Sequence, residues 1–371
     1  MELLGYLKSN RKSFQEEAIN HLDVLALTWI TYFDMPKLVD HLPISIQEWK
    51  QEEIFHKIAA YHRSFVPKSS AKVIFEIASS PRFESLEVLD FHYQNDLKKK
   101  LQFGVIAYRL GEHIVIAFEG TDLSYAGWRE DLEMAYRDSI ASYPLAMSFI
   151  ERIEKEYEGP IILSGHSKGG NIVSYCLAMM EDDSRIEKVY SYEGPGFHFK
   201  GIFKKHPERE SKLVKFVPHT AFVGILLNDD SKVHIVKANA VGILQHNALK
   251  WEIKNNDFVY YEKRSLSSRF IGVSINRWID SLTEEERQRF ITLVLDNVEA
   301  FGPDEFEELY KRFIYYVPAL SRAYGNLSKE DKAFFKMVMG RLRLQMRKTI
   351  EEHHQSQKKK RISHQNKKDL H

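Results

Sequence analysis

The spacing of apolar residues divides the chain into a helical beginning, a mixed middle and a helical end. Between residues 14 and 65 apolar positions recur every three or four residues, which predicts mostly helices. One of these helices ends near Pro36, and its apolar stripe contains Leu22, Leu25, Trp29, Ile30 and Phe33. Strand patterns stop after residue 265, and residues 282–350 again carry helical patterns, one of them with Ser328 as its N-cap.

The middle of the chain alternates strand and helix patterns. Two β-rich runs, residues 101–109 and 113–118, flank a short glycine turn and predict a hairpin. Further strands are predicted at residues 160–164, 186–192, 213–217 and 233–237, and helices at residues 131–141, 144–157 and 171–180. Strands that alternate with helices indicate βαβ units, so the predicted fold class is α/β with a mostly parallel sheet and flanking helices.

The predicted organisation has four parts. An N-terminal helical segment, residues 1–70, packs on an α/β core of residues 71–265, and a C-terminal helical segment spans residues 266–350. Residues 351–371 are rich in Lys and His and nearly free of apolar side chains. Because such a segment cannot bury enough apolar surface to offset the loss of chain entropy, we expect it to be a disordered basic tail.

Composition adds little chemistry but excludes several classes of protein. The 371 residues are 43% apolar and 28% charged with a net charge of +1, so nothing favours a nucleic-acid partner. A single cysteine, Cys176, cannot form an internal disulfide. The beginning of the chain lacks a signal-peptide pattern, and its apolar run at residues 24–32 is far shorter than the roughly 20 residues of a membrane span. We therefore expect a cytoplasmic protein.

One short motif carries candidate chemistry. The segment Gly165-His166-Ser167-Lys168-Gly169 has the Gly-x-Ser-x-Gly pattern, with an apolar strand before it and a helix after it. A sharp strand-to-helix turn of this kind exposes a serine hydroxyl as a nucleophile. Ser167 is therefore the predicted nucleophile. The alternative is a glycine turn in which Ser167 only caps the following helix.

A serine hydroxyl needs a general base, and in α/β-hydrolases the chain order is serine, acid, histidine. His246 is the predicted base because it lies in a loop after the last core strand, whereas His234 lies inside a strand. Asp229 is the favoured acid, with Asp230 and then Glu193 as weaker alternatives. A Ser-His dyad without an acid is a further alternative, and His246 as a loop histidine bonded to backbone is another.

The developing oxyanion needs two donors. The backbone N–H of Lys168, directly after the nucleophile, supplies one. Thr121, in the loop after the strand at residues 113–118, supplies the other from its N–H or hydroxyl, although the loop also fits a plain β-turn. The sequence has no metal-ligand spacing and no phosphate-binding loop, so the predicted chemistry uses no metal and no cofactor.

Several segments together resemble a known group of proteins. Residues 117–132, which contain Gly120-Thr121 and Trp128-Arg-Glu-Asp131, resemble the Phe-Arg-Gly-Thr…Trp-x-x-Asp-Leu segment of class 3 (fungal-type) lipases. Residues 164–171 resemble the lipase elbow, and their Lys-Gly-Gly-Asn version is similar to that of the Mbeg-like α/β-hydrolases, a bacterial family of unknown function. Residues 192–197 and 245–251 agree with that family.

The resemblance implies an α/β-hydrolase (lipase-like) fold with Ser167 as nucleophile, His246 as base and Thr121 as oxyanion residue. Two departures stand out: Glu119 replaces the lipase arginine, and residues 217–223 carry no carboxylate where lipases have an aspartate.

The expected activity is that of a serine esterase or lipase acting on a small-molecule or lipid ester. The basic tail could add weak contact with an anionic membrane surface. The rival hypothesis is a non-catalytic binding or regulatory protein on the same fold.

Overall fold

A computed structural model describes residues 1–60, 70–96, 98–99, 101–122, 124–299 and 324–368. Part of the helical pattern predicted over residues 282–350, at residues 300–323, lies outside these ranges. Within them the strands are β1 (Ile44–Ser45), β2 (Glu87–Asp96), β3 (Leu101–Leu110), β4 (His113–Phe118), β5 (Ile161–His166), β6 (Ile186–Tyr192), β7 (Leu213–Pro218), β8 (Val233–Val236), β9 (Ile253–Lys254), β10 (Asp257–Phe258) and β11 (Tyr260–Tyr261).

The helices frame these strands. They are α1 (Leu3–Ser9), α2 (His21–Ile30), α3 (Met35–Leu38), α4 (Ile46–Trp49), α5 (Ala71–Ser79), α6 (Tyr125–Glu133), α7 (Ser142–Glu156), α8 (Lys168–Met179), α9 (Leu266–Asp280), α10 (Glu284–Glu299) and α11 (Lys329–Lys368). Short 3₁₀ turns lie at Glu53–Ala60, Pro81–Phe83, Pro207–Lys212, Gly242–His246 and Ala248–Lys250. No helix in the described ranges is long and apolar enough to cross a membrane.

One mixed sheet organises the molecule, and it confirms the α/β fold class. Its strands follow the order β1-β2-β3-β4-β5-β6-β7-β8-β11. The central strands from β4 to β8 are parallel, whereas the outer pairings are antiparallel and include the predicted β3–β4 hairpin. Phe118 pairs with Gly165, and His166 pairs with Tyr192. The carboxyl ends of β4, β5 and β6 therefore meet at one edge, which is where open α/β sheets bind ligands.

The two faces of the sheet bury different helices. Along β4, Val115 and Ala117 face a core cluster shared with α2 and α5, while Ile114 and Ile116 face a cluster shared with α7 and α8. Alternate strand residues point to opposite faces, so both clusters follow from one apolar strand. The N-terminal helices thus cover one whole face of the sheet.

Helix α2 is fixed at its start and buried along its length. The Asn20 side chain accepts hydrogen bonds from the N–H groups of Leu22 and Asp23, and Asp23 accepts one from the N–H of Asn20. This capping box satisfies N–H groups that a helix start leaves without partners. Asp23 is fully buried because Arg82 pairs with both of its carboxylate oxygens, at 2.8 and 2.6 Å. The chain leaves α2 beside the carboxyl end of β5.

Some elements differ from the sequence-based expectation. Strand β2 was not predicted, because its polar residues Asp90, His92 and Gln94 interrupt the apolar pattern. The strand forms through its pairing with β3, a contact that the local sequence does not indicate. Helix α6 begins earlier than predicted, at a cap formed by Ser124. The predicted cap at Ser328 is confirmed.

The C-terminal end also differs, since α11 continues to Lys368 where a disordered tail is expected. Its Glu, Gln, Lys and Arg residues are good helix formers even without an apolar stripe. The four-part division of the chain stays a prediction.

Candidate active site

The Gly-x-Ser-x-Gly segment forms a tight turn between β5 and α8. Ser167 has φ 56° and ψ −122°, a region that side-chain-bearing residues rarely occupy and that occurs mainly at functional sites. A Cβ atom on Gly165 would lie 2.1 Å from the carbonyl carbon of Gly169, so strand and helix could not cross this closely with larger residues. The Ser167 side chain makes no capping hydrogen bond to α8. The structure therefore does not support the alternative in which Ser167 only caps the following helix.

A buried carboxylate contacts the predicted base. The Nδ1 atom of His246 lies 2.8 Å from Oε2 of Glu193, and the other carboxylate oxygen accepts the Phe222 N–H at 3.1 Å. Glu193 is fully buried and has φ 51°, a second strained residue, at the end of β6 beside the nucleophile strand. A carboxylate at Nδ1 holds that nitrogen protonated and leaves Nε2 free to accept a proton.

The favoured acid of the sequence analysis lies elsewhere, so that assignment is corrected. Asp229 pairs with the buried ammonium of Lys215 and accepts the Ser231 N–H at 2.8 Å. Although burial opposes ionisation, Lys215 lowers the pKa of Asp229 below its usual value. Asp229 thus neutralises a buried lysine. Asp230 accepts the N–H of Gly201 in an exposed loop. Of the three candidates, Glu193 is the one placed on His246.

His166 joins the base loop to the elbow. Its Nε2 lies 2.8 Å from the carbonyl oxygen of His246, and the two rings lie 4.6 Å apart between centroids. Burial, together with the charge of His246, lowers the pKa of His166 well below its usual value, so its ring is neutral. On its other side, Nδ1 lies 2.5 Å from the hydroxyl of Tyr32. His166, the residue directly before the nucleophile, therefore holds the backbone of the predicted base.

The loop after β4 lies directly against the elbow. A Cβ atom on Gly120 would lie 2.8 Å from the His166 carbonyl and 3.2 Å from the Ser167 Cβ. The Thr121 hydroxyl donates to Asp131 at 2.6 Å and is thereby committed. Within the described part of the chain, neither the Thr121 nor the Lys168 backbone N–H has an acceptor. Backbone N–H groups, rather than the threonine hydroxyl, are what this loop can offer an oxyanion.

A buried charge network lies beneath these donors. The ammonium of Lys168 donates to Glu130 at 2.9 Å and to the Gln102 carbonyl at 2.6 Å. Gln102 in turn donates to the Gly120 carbonyl at 3.2 Å, and Glu130 accepts two 2.7 Å bonds from Ser142. Burial opposes ionisation of Lys168, but Glu130 raises its pKa, so the lysine stays charged.

The sequence singled out only the backbone of Lys168. A carboxylate two residues after Trp128, matched by a lysine at the elbow, is the signal that could have indicated the ion pair with Glu130.

Asp131 adds a second buried carboxylate to this network. Burial raises its pKa to about 6, against the opposing effects of Lys168 and the Thr121 hydroxyl. Its Oδ1 atom is buried with no hydrogen-bond partner among the described residues. Asp131 therefore titrates close to neutral pH while it holds the Thr121 side chain.

Several proteins of solved structure are distantly similar to this chain. The chain is similar to a fungal lipase of solved structure at 12% identity, with a TM-score of 0.39 over 62% of this chain and 82% of that one. It is also similar to a mutant of MDLA from Penicillium cyclopium (11%, TM-score 0.40, 64% and 82%) and to Lip2 lipase from Yarrowia lipolytica (12%, TM-score 0.35, 58% and 78%). No curated protein matches the chain significantly.

A family model covers the site itself. The Mbeg1-like model matches residues 77–296, which is more than half of the chain and includes Ser167, Glu193 and His246. The resemblance seen in the elbow segment extends over the whole sheet from β2 to β11. The protein belongs to the Mbeg1-like family.

Proposed function

We propose that the protein is a serine hydrolase that cleaves an acyl ester through a covalent acyl-serine intermediate. The observation that carries the proposal is the contact between Glu193 and His246, whose backbone carbonyl is held by His166, the residue before the strained Ser167. An oriented histidine beside a serine is the arrangement that activates a hydroxyl.

The chemistry proceeds in two half-reactions. The Ser167 oxygen attacks the ester carbonyl carbon while Nε2 of His246 takes the hydroxyl proton, and the Glu193 carboxylate stabilises the imidazolium. The N–H groups of Lys168 and Thr121 hold the oxyanion. His246 then gives its proton to the departing alcohol. Water repeats the sequence on the acyl-enzyme, with His246 taking its proton, and releases the acid and Ser167.

The substrate we propose is a short or medium acyl ester, and the reaction uses no metal. The mechanism needs only the groups named above. Hydrolysis of p-nitrophenyl esters of increasing chain length measures the acyl preference. Loss of activity in a chelator, restored by a divalent ion, would contradict the metal-free mechanism.

An active-site probe tests the nucleophile. A fluorophosphonate should label the wild-type protein covalently and should not label Ser167→Ala. Ser174→Ala is a matched control, because its hydroxyl lies on α8 and donates only to the Gly170 carbonyl. Labelling of Ser167→Ala equal to wild type would show that the nucleophile lies elsewhere. No labelling of wild type would favour the rival hypothesis of a non-catalytic binding protein.

Membrane contact through residues 351–371 remains a separate prediction. If these residues supply the contact, the protein should float with anionic liposomes, and removal of the residues should abolish this co-flotation.

A further inference from the structure

Tyr32 is a buried residue at the junction of three segments of the site. It follows α2 and precedes the matched family segment that begins at residue 77. Its hydroxyl lies 2.5 Å from Nδ1 of His166, and Gly120 packs directly against the same oxygen. A Cβ atom on Gly120 would lie 2.2 Å from this hydroxyl, so the loop reaches Tyr32 only because residue 120 is glycine.

The direction of these hydrogen bonds follows from the acceptors. The carbonyl oxygen of His246 accepts only, so Nε2 of His166 carries the hydrogen and donates to it at 2.8 Å. In a neutral imidazole the other nitrogen is then an acceptor. The Tyr32 hydroxyl therefore donates to Nδ1.

We propose that Tyr32 is a positioning residue for the candidate active site: its hydroxyl fixes the oxyanion loop at Gly120 and, through His166, the backbone of His246. The inference rests on the proposed hydrolase function. It assigns the N-terminal helical segment a part in catalysis, because one side chain from that segment holds the loop after β4, the elbow and the base loop in register. Tyr32 acts through its neighbours and touches no substrate.

Removal of the hydroxyl has a definite consequence for the geometry. In Tyr32→Phe, Nδ1 of His166 has lost its donor, so only the His246 carbonyl still orients the ring. The oxygen against which Gly120 packs is lost at the same time. A misplacement of about 1 Å between reacting groups costs about 10²-fold in rate. We expect kcat to fall 10- to 100-fold while KM stays within about twofold of wild type, since the substrate contacts are unchanged.

A second tyrosine supplies the matched control. Tyr108 is also buried, and its hydroxyl donates to the Leu27 carbonyl of α2 at 3.2 Å, away from the site. Tyr108→Phe should keep wild-type kcat. In a double-mutant cycle, Tyr32→Phe should cause a smaller loss in a His166→Gln background than in wild type, because the two side chains share one hydrogen bond. Wild-type kcat in Tyr32→Phe, or losses that add, would overturn the proposal.

A spectroscopic readout separates this proposal from the proposed function. Nitrogen NMR of the histidines should show His166 as a neutral Nε2–H tautomer in both proteins, with its Nδ1 resonance moved in Tyr32→Phe because the Nδ1 lone pair has lost a hydrogen-bond donor. An unchanged Nδ1 resonance would overturn the role of Tyr32 even in an active hydrolase. If the resonance moves on mutation but the wild-type protein neither labels at Ser167 nor turns over esters, the proposed function is overturned instead.

Discussion

At the scale of single residues, the Glu193 carboxylate has two partners, and a neutral amide cannot serve both. In Glu193→Gln the amide oxygen can keep the Phe222 N–H, but the NH₂ group then faces Nδ1 of His246 and favours the wrong tautomer. We expect kcat to fall by about 10³- to 10⁴-fold, as for the corresponding change in a serine-protease triad. Ester hydrolysis measures this, with circular dichroism to show an unchanged fold. A kcat near wild type would leave a Ser-His dyad.

Asp229→Asn should show the opposite signature. It leaves the buried ammonium of Lys215 without a counter-charge, and breaking a buried ion pair costs about 3–5 kcal/mol of unfolding free energy. Urea unfolding should detect this loss, while the kcat of the folded protein stays near wild type because Asp229 does not contact His246. A large fall in kcat at unchanged stability would return Asp229 to the site.

Asp131 makes the stability depend on pH. Burial raises its pKa in the folded state to about 6, above its unfolded value of about 3.8. The protonated carboxyl therefore stabilises the folded state below the unfolded pKa, and this stabilisation is lost as pH rises through about 6. Asp131→Asn removes this loss and keeps an acceptor for Thr121. At pH 8 the variant should therefore have a free energy of unfolding up to about 3 kcal/mol higher than wild type, and at pH 4 the two free energies should be nearly equal. Equal stability of both proteins at pH 8 would contradict this.

The sequence reveals residues whose roles are local and hides those set by tertiary contact. Ser167 stands out because its turn needs glycines at fixed offsets from one strand and one helix. Glu193 was ranked behind Asp229, because linear order alone places either one between the serine and the histidine. Only the parallel register of β5 and β6 brings the end of β6 beside the nucleophile. Tyr32 and His166 meet across 134 residues, and no spacing rule indicates such a pair.

At the scale of elements, strands with clean apolar runs were predictable and paired strands with mixed faces were not. The β3–β4 hairpin and the strands from β5 to β8 follow apolar runs, because a strand buried on both faces needs them. Strand β2 carries polar residues at its carboxyl end and depends on β3 for its pairing. The burial of α2 was visible in its apolar spacing, but the buried Asp23 within it was not assigned a partner.

The Asp23–Arg82 pair ties α2 to the 3₁₀ turn at Pro81–Phe83. Arg82 also donates to the backbone carbonyls of Lys12, Glu17 and Ala18, so it organises the loop before α2. Arg82→Met should lower the unfolding free energy by about 3–5 kcal/mol, because Asp23 would be buried as an unpaired charge. Arg109→Met is a control, since Arg109 pairs with Glu87 at the surface, where an ion pair contributes about 0–1 kcal/mol. If Arg82→Met and wild type had the same melting curve, the Asp23–Arg82 pair would not stabilise α2.

At the scale of the whole molecule, α11 packs through its first half. Trp278 of α9 donates to the Val338 carbonyl at 3.0 Å, and Arg341 pairs with Glu286 of α10 at 2.6 Å. The contact furthest along α11 within the described side chains is the exposed pair of Arg277 and Glu352. Stabilisation by this helix therefore comes from the part before residue 353.

Two truncations test this distribution. Removal of residues 356–371 should leave the melting temperature and the ester hydrolysis rate within error, because this segment has almost no apolar residues to offset the cost of ordering it, about 1–2 kcal/mol per residue. Removal from residue 329 onward should lower the melting temperature by several degrees, since it uncovers Trp278 and leaves Glu286 without Arg341. Differential scanning calorimetry measures both. A shift of several degrees on the shorter truncation would show that the basic end packs on the core, and no shift on the longer one would show that α9 and α10 are stable without α11.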